Sequence, residues 1–98
     1  MNELNKDQTA ILQILQEECA EVIQATSKVF RFGLFDTHPD TPNKTNTYHL
    51  EEELGDVLAM IELLALHKVI SYDHLLMFKQ AKFGKLRTWS DIDVDYKG

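Results

Sequence analysis

Two stretches of this chain repeat apolar residues at helical spacing, and each carries acidic residues inside the apolar arc instead of opposite it. At about 100° per residue, Ile11, Ile14, Leu15, Val22, Ala25 and Val29 share one face of a first helix. Glu18 falls within that face and Glu21 at its edge. In the second stretch Leu50, Leu54, Val57, Ile61 and Leu64 define the arc, with Glu53 on its flank and Asp56 further round. A solvated helix face does not have this pattern. An ionised carboxylate turned toward an apolar interior is unfavourable unless a cation compensates it, so four converging carboxylates imply one or more divalent metal ions.

The rest of the chain supports an all-α subunit of three main helices. Asp7 is the expected N-cap of a helix from about Gln8 to Phe30. Residues 31–46 hold both prolines, Pro39 and Pro42, with Gly33, Asp36, Asp40, Asn43 and Asn46, which reads as a long loop. A loop longer than about 12 residues inside a small domain tends to be functional, and this one joins the two acidic helices. Asn46 or Thr47 would cap a second helix from about Tyr48 to Lys68, where Gly55 is expected to permit close helix approach. Ser71 would cap a third from about Tyr72 to Arg87, and residues 90–98 form an acidic tail. No internal repeat, low-complexity tract or β-rich segment is evident.

Length and charge narrow the function classes. A chain of 98 residues, expected to be a single domain over 1–98, buries only a modest share of its surface alone, so self-association is expected. Sixteen Asp and Glu against ten Lys and Arg give a net charge of −6, which argues against a nucleic-acid polymer as partner. The N-terminus lacks the pattern of a secretory leader and no apolar run reaches membrane-spanning length, so the expectation is a cytoplasmic protein with no membrane partner. The lone Cys19 reads as a small packed residue.

Residues three apart are neighbours on a helix, so Glu18 with Glu21, and Glu53 with Asp56, each direct two carboxylates to one point. Oxygen ligands without His or Cys suit Mg²⁺, with Mn²⁺ as a substitute, and Mg²⁺ commonly shares its coordination with substrate phosphates. A di-iron bundle would use Glu-x-x-His pairs, and none of His38, His49, His67 and His74 follows a Glu by three residues. A single Glu-x-x-Glu, or the run Glu51-Glu52-Glu53, is ordinarily a solvated face. Two such pairs intruding on apolar arcs of consecutive helices are not ordinary.

The string Glu17-Glu18-Cys19-Ala20-Glu21, followed by Glu53-Leu54-Gly55-Asp56-Val57, resembles the EExxE…ExxD signature of the MazG-like all-α nucleoside triphosphate pyrophosphohydrolases. The resemblance implies homodimers or homotetramers with a four-helix-bundle-type core, and cleavage of nucleoside or deoxynucleoside triphosphates to monophosphate and pyrophosphate in nucleotide-pool house-cleaning. It implies Glu18, Glu21, Glu53 and Asp56 as the Mg²⁺ ligands and Glu17 and Glu18 as catalytic, with Glu17 orienting or deprotonating the attacking water or reaching a second metal. Lys79, Lys82, Lys85 and Arg87 on the third helix are candidates for binding the triphosphate, although basic side chains also snorkel over apolar surface. Arg31, Phe32, Phe35, Tyr48 and His49 flank the long loop, and packing is favoured over base contact for them, as for Trp89. Two other readings share these features: hydrolysis of another phosphorylated nucleotide of the phosphoribosyl-ATP kind, and a non-catalytic helical module pairing with a basic partner.

Overall fold

The computed structural model describes residues 3–98; the first two residues, on which part of the leader reading rests, lie outside the described region. Three helices, α1 (Lys6–Phe32), α2 (Asn46–Leu66) and α3 (Tyr72–Trp89), carry most of the described chain. A short antiparallel ribbon, β1 (Thr37–His38) and β2 (Thr41–Thr45), lies between α1 and α2. No described helix is long and apolar enough to cross a membrane.

Helix α1 begins earlier than the sequence reading placed it. Asn5, not Asp7, is the N-cap: its side chain accepts from the Gln8 N–H at 2.8 Å, and Gln8 Oε1 accepts from the Asn5 N–H at 3.0 Å. This reciprocal capping box satisfies two otherwise orphaned donors and leaves Asp7 to favour the positive end of the helix from its first turn. The helix stops at Gly33, whose φ of 91° is open to glycine and strained for other residues. Thr45 caps α2 by accepting from the Tyr48 N–H, one residue before the expected cap, and Ser71 caps α3 as expected.

The loop expected to be free of strand contains the ribbon. Thr37, Thr41 and Thr45 supply β-branched residues, and Pro39-Asp40 makes the turn, with the Asp40 N–H donating to His38 Nδ1 at 3.0 Å. Pro42 is tolerated because a two-stranded ribbon has only edge strands. Asn46, 8% exposed, locks the ribbon to the helices: Nδ2 donates to the Gly33 carbonyl at 2.8 Å and its backbone N–H to the Asp36 carbonyl at 3.0 Å.

Helices α1 and α2 pack as an antiparallel pair around Ile11, Ala25 and Leu64, the buried apolar residues of the described chain. Gln8 Nε2 donates to the His67 carbonyl at 2.8 Å, fastening the start of α1 to the end of α2. Lys68 then takes a φ of 66°, the left-handed turn that ends α2. Helix α3 buries no residue and makes no extensive packing with α1 or α2. The result is an open shape: the radius of gyration is 16.7 Å, against about 13 Å for a compact domain of this length.

Apolar side chains surround α2. Leu64 faces α1, while Leu54, Leu58 and Leu66 on other sides of the helix remain exposed. Gly55 belongs to this outward side, and a methyl group placed on it would meet nothing within 4 Å, so it does not serve close helix approach within the chain as expected. With Ile61, Ala65 and Tyr72 it lines a shallow apolar groove between α2 and the start of α3. A helix apolar all round is ordinarily buried all round.

Candidate metal centre

The α1–α2 packing brings carboxylates of both helices together. One oxygen each from Glu18, Glu53 and Asp56 lie within 4.8 Å of one another, with Glu18 and Glu53 half-buried and Asp56 exposed. Glu18 sits mid-way along α1, between the buried Ile11 and Ala25, each seven residues away on the same face. It therefore meets the α2 residues that flank the Leu64 side. The apolar arc on which the spacing of α1 places Glu18 is thus the side of the helix that meets α2.

Glu21 does not join this group. It is exposed one turn further along α1 and acts on Glu18 through its charge. Three of the four expected ligands thus converge. Partial loss of water raises the Glu18 pKa above its ordinary value, and repulsion from Asp56, a hydrogen bond with Asp56, and the charges of Glu53 and Glu21 raise it further. Among the described residues none of the three carboxylates has a basic partner: Lys44 pairs with Glu52 and Arg87 with Asp95, and His38 lies beside Asp40. Mutually repelling carboxylates without a cation of the chain's own, all oxygen donors, fit a hard divalent ion such as Mg²⁺.

The other site candidates are dispersed. Glu17 is exposed, one residue before Glu18 and so about 100° round the helix from it. Lys79, Lys82 and Lys85 are exposed on α3 and form no ion pair with the three carboxylates. Arg87 is engaged elsewhere: it donates from Nε and Nη2 to the two carboxylate oxygens of Asp95 at 3.2 and 2.9 Å, and this holds Asp95 below the ordinary carboxylate value. Cys19 is exposed, not packed, because it lies just off the inward arc occupied by Glu18. Trp89, Phe35 and Tyr48 are exposed and find no packing partner within the chain that buries them.

Phe32 and His49 share one cavity. They line a cavity of about 210 Å³ with Lys28, Asp36, Thr37, His38, Pro39 and Asn46, where the ribbon closes over the end of the α1–α2 groove. The sequence offered no way to find His38 and Asp36 here, because the ribbon that carries His38 and begins just after Asp36 was unforeseen.

A helical pair presenting a cluster of carboxylates from facing helices defines an acidic all-α protein. The chain belongs to the MazG family: residues 6–76 match the MazG nucleotide pyrophosphohydrolase domain, which spans α1, the ribbon, α2 and the start of α3. No curated protein and no solved structure matches the chain significantly.

Proposed function

We propose that this protein hydrolyses nucleoside or deoxynucleoside triphosphates to monophosphate and pyrophosphate with Mg²⁺ or Mn²⁺, as a cytoplasmic homodimer or homotetramer that clears unwanted nucleotides. The observation that carries the reading is the convergence of Glu18, Glu53 and Asp56 without a basic partner, in a chain of the MazG family. Glu18, Glu53 and Asp56 would hold the ion, with Glu21 at the flank, and a bound divalent ion would neutralise charge on the phosphoryl oxygens.

The carboxylates also orient the substrate by exclusion. An unaccompanied triphosphate is repelled from them, so the phosphates approach only with their counter-ion. In the reaction a water oxygen bonds to the α-phosphorus as the bond from that phosphorus to the α–β bridging oxygen breaks, and pyrophosphate departs. Glu17, exposed and one residue before Glu18, would orient that water and accept its proton, the role the signature implies for it. Lys79, Lys82, Lys85 and Arg87 do not reach the cluster of their own chain as ion-pair partners, and Arg87 must first release Asp95. They would serve the triphosphate where a neighbouring copy presents its α3 to the groove.

That arrangement also accounts for the exposed side of α2 and for the unburied α3. Pyrophosphate release from a panel of NTPs and dNTPs, with and without Mg²⁺, tests the reading. Mg²⁺-dependent release with monophosphate as co-product is expected; no release from any of them by a folded, Mg²⁺-binding protein would overturn it.

A further inference from the structure

The cavity under the ribbon lies on the same rim of the α1–α2 groove as the carboxylates. Phe32 follows Glu18 by fourteen residues on α1, and Asn46 and His49 precede Glu53 and Asp56 by seven on α2. Seven residues return a side chain to the same helix face, about 10 Å further along the axis. Because the helices run antiparallel, both displacements point the same way, toward the ribbon. The cavity therefore lies on the carboxylates' side of the helical pair, displaced from them toward the ribbon.

The lining suits a flat heterocycle better than phosphate. Phe32 offers a ring whose one face is already covered by the Arg31 guanidinium, 4.8 Å from its centroid, leaving the other for stacking. Asn46 spends its amide N–H on the Gly33 carbonyl, which leaves its side-chain oxygen as an acceptor. His38 Nδ1 accepts from the Asp40 N–H, which places the proton of the neutral ring on Nε2 as a donor. Lys28 and Asp36 give the cavity opposite charges that a triphosphate would not match and a base edge with donors and acceptors would. Its volume, about 210 Å³, is below the roughly 300 Å³ where sites for drug-sized ligands begin, which is room for a ring system and not for a whole nucleotide.

We infer that this cavity is a nucleobase subsite, in which Phe32 stacks on the base and Asp36, His38, Asn46 and His49 read its polar edge. The inference rests on the hydrolase reading for its substrate: with the phosphates at the carboxylates, the ribose spans the groove and the base reaches the ribbon. Base preference then lies in the ribbon, a segment separate from the metal ligands.

The test compares kcat/KM for a nucleoside triphosphate with that for methyl triphosphate, which has no base, in the native protein and in Phe32→Ala and His49→Ala, each checked for folding by circular dichroism. A stacked base contributes roughly 5- to 150-fold, so Phe32→Ala is expected to lower the ratio of the two by that range. A ratio unchanged in both variants overturns the subsite. Nucleosides without phosphates are added in parallel while the His38 and His49 imidazole NMR signals are followed. Perturbation of both signals supports the subsite even if no triphosphate is turned over, a result that would sink the hydrolase reading alone; unperturbed signals at saturating nucleoside overturn the subsite whatever the activity.

Discussion

Leu58 is the sharpest probe of the proposed assembly, because the isolated subunit assigns it almost nothing to do. It projects from the exposed side of α2 and is 66% exposed. Leu and Ala have similar helix propensities, so Leu58→Ala leaves α2 intact and costs the lone subunit less than about 0.5 kcal/mol, as surface substitutions generally do. If a second copy covers this side, the remaining two-thirds of the side chain becomes buried. Full burial of a leucine contributes about 1.5–3 kcal/mol, so roughly 1–2 kcal/mol per copy is at stake. A two-fold interface counts the change twice, for roughly 2–4 kcal/mol, which is a dimer dissociation constant weakened by about 30- to 700-fold. Sedimentation equilibrium over a wide concentration range reads this directly, with far-ultraviolet circular dichroism confirming that helix content is kept. An association constant unmoved by Leu58→Ala, or a native protein monomeric at all concentrations, would refute the argument that the outward side of α2 is an interface.

Glu18→Gln is expected to abolish Mg²⁺-dependent turnover and to weaken Mg²⁺ binding by calorimetry while the protein stays folded; full turnover in the folded variant would remove Glu18 from the site. The raised pKa of Glu18 fixes a sign for the pH dependence of the metal-free protein. Between its ordinary value of 4.5 and its higher folded value, the native chain holds this proton more tightly than the unfolded chain, so stability falls as pH rises through that window. Urea midpoints should therefore decline more steeply with pH in the native protein than in Glu18→Gln, and parallel profiles would contradict the cause assigned to the shift. Lys68→Gly, at the left-handed end of α2, is expected to stabilise the fold by about 1 kcal/mol, seen as a higher thermal midpoint. Leu64→Ala, at a residue 3% exposed, is expected to cost roughly 2–5 kcal/mol by the same measurement.

What was legible in the sequence followed from periodicity. Glu18 recurs at seven-residue intervals with Ile11 and Ala25, so its inward position and its meeting with Glu53 and Asp56 were available before any coordinates. Glu21 shows the limit of that logic. A position at the edge of a helical arc turns inward or outward according to the partner helix, and here the crossing of α2 leaves it in solvent. Local chemistry misplaced the first cap for a similar reason: Asn5 and Asp7 both suit an N-cap, and the reciprocal bonds with Gln8 decide for Asn5. The ribbon was hidden because Pro39, Asp40, Pro42 and Asn43 dominate its composition, while the pairing depends on Asn46 anchoring it to Gly33 and Asp36.

The candidate site and the open shape have one origin in α2. A helix with apolar residues on one side would pack on α1 and present its carboxylates from a finished subunit. This helix carries Leu64 toward α1 and Leu54, Leu58 and Leu66 elsewhere, so packing on α1 satisfies only part of it. The same incompleteness marks the site, where three carboxylates converge and no cation of α3 reaches them within the chain. Burial of the outward side of α2 and delivery of positive charge to the groove are thus demands that one neighbouring subunit would meet together. Leu58→Ala at concentrations below its weakened dissociation constant should then reduce turnover as well as association, although Leu58 is not among the converging carboxylates. Full turnover by a demonstrably monomeric Leu58→Ala protein would separate the two demands and place every catalytic group within a single chain.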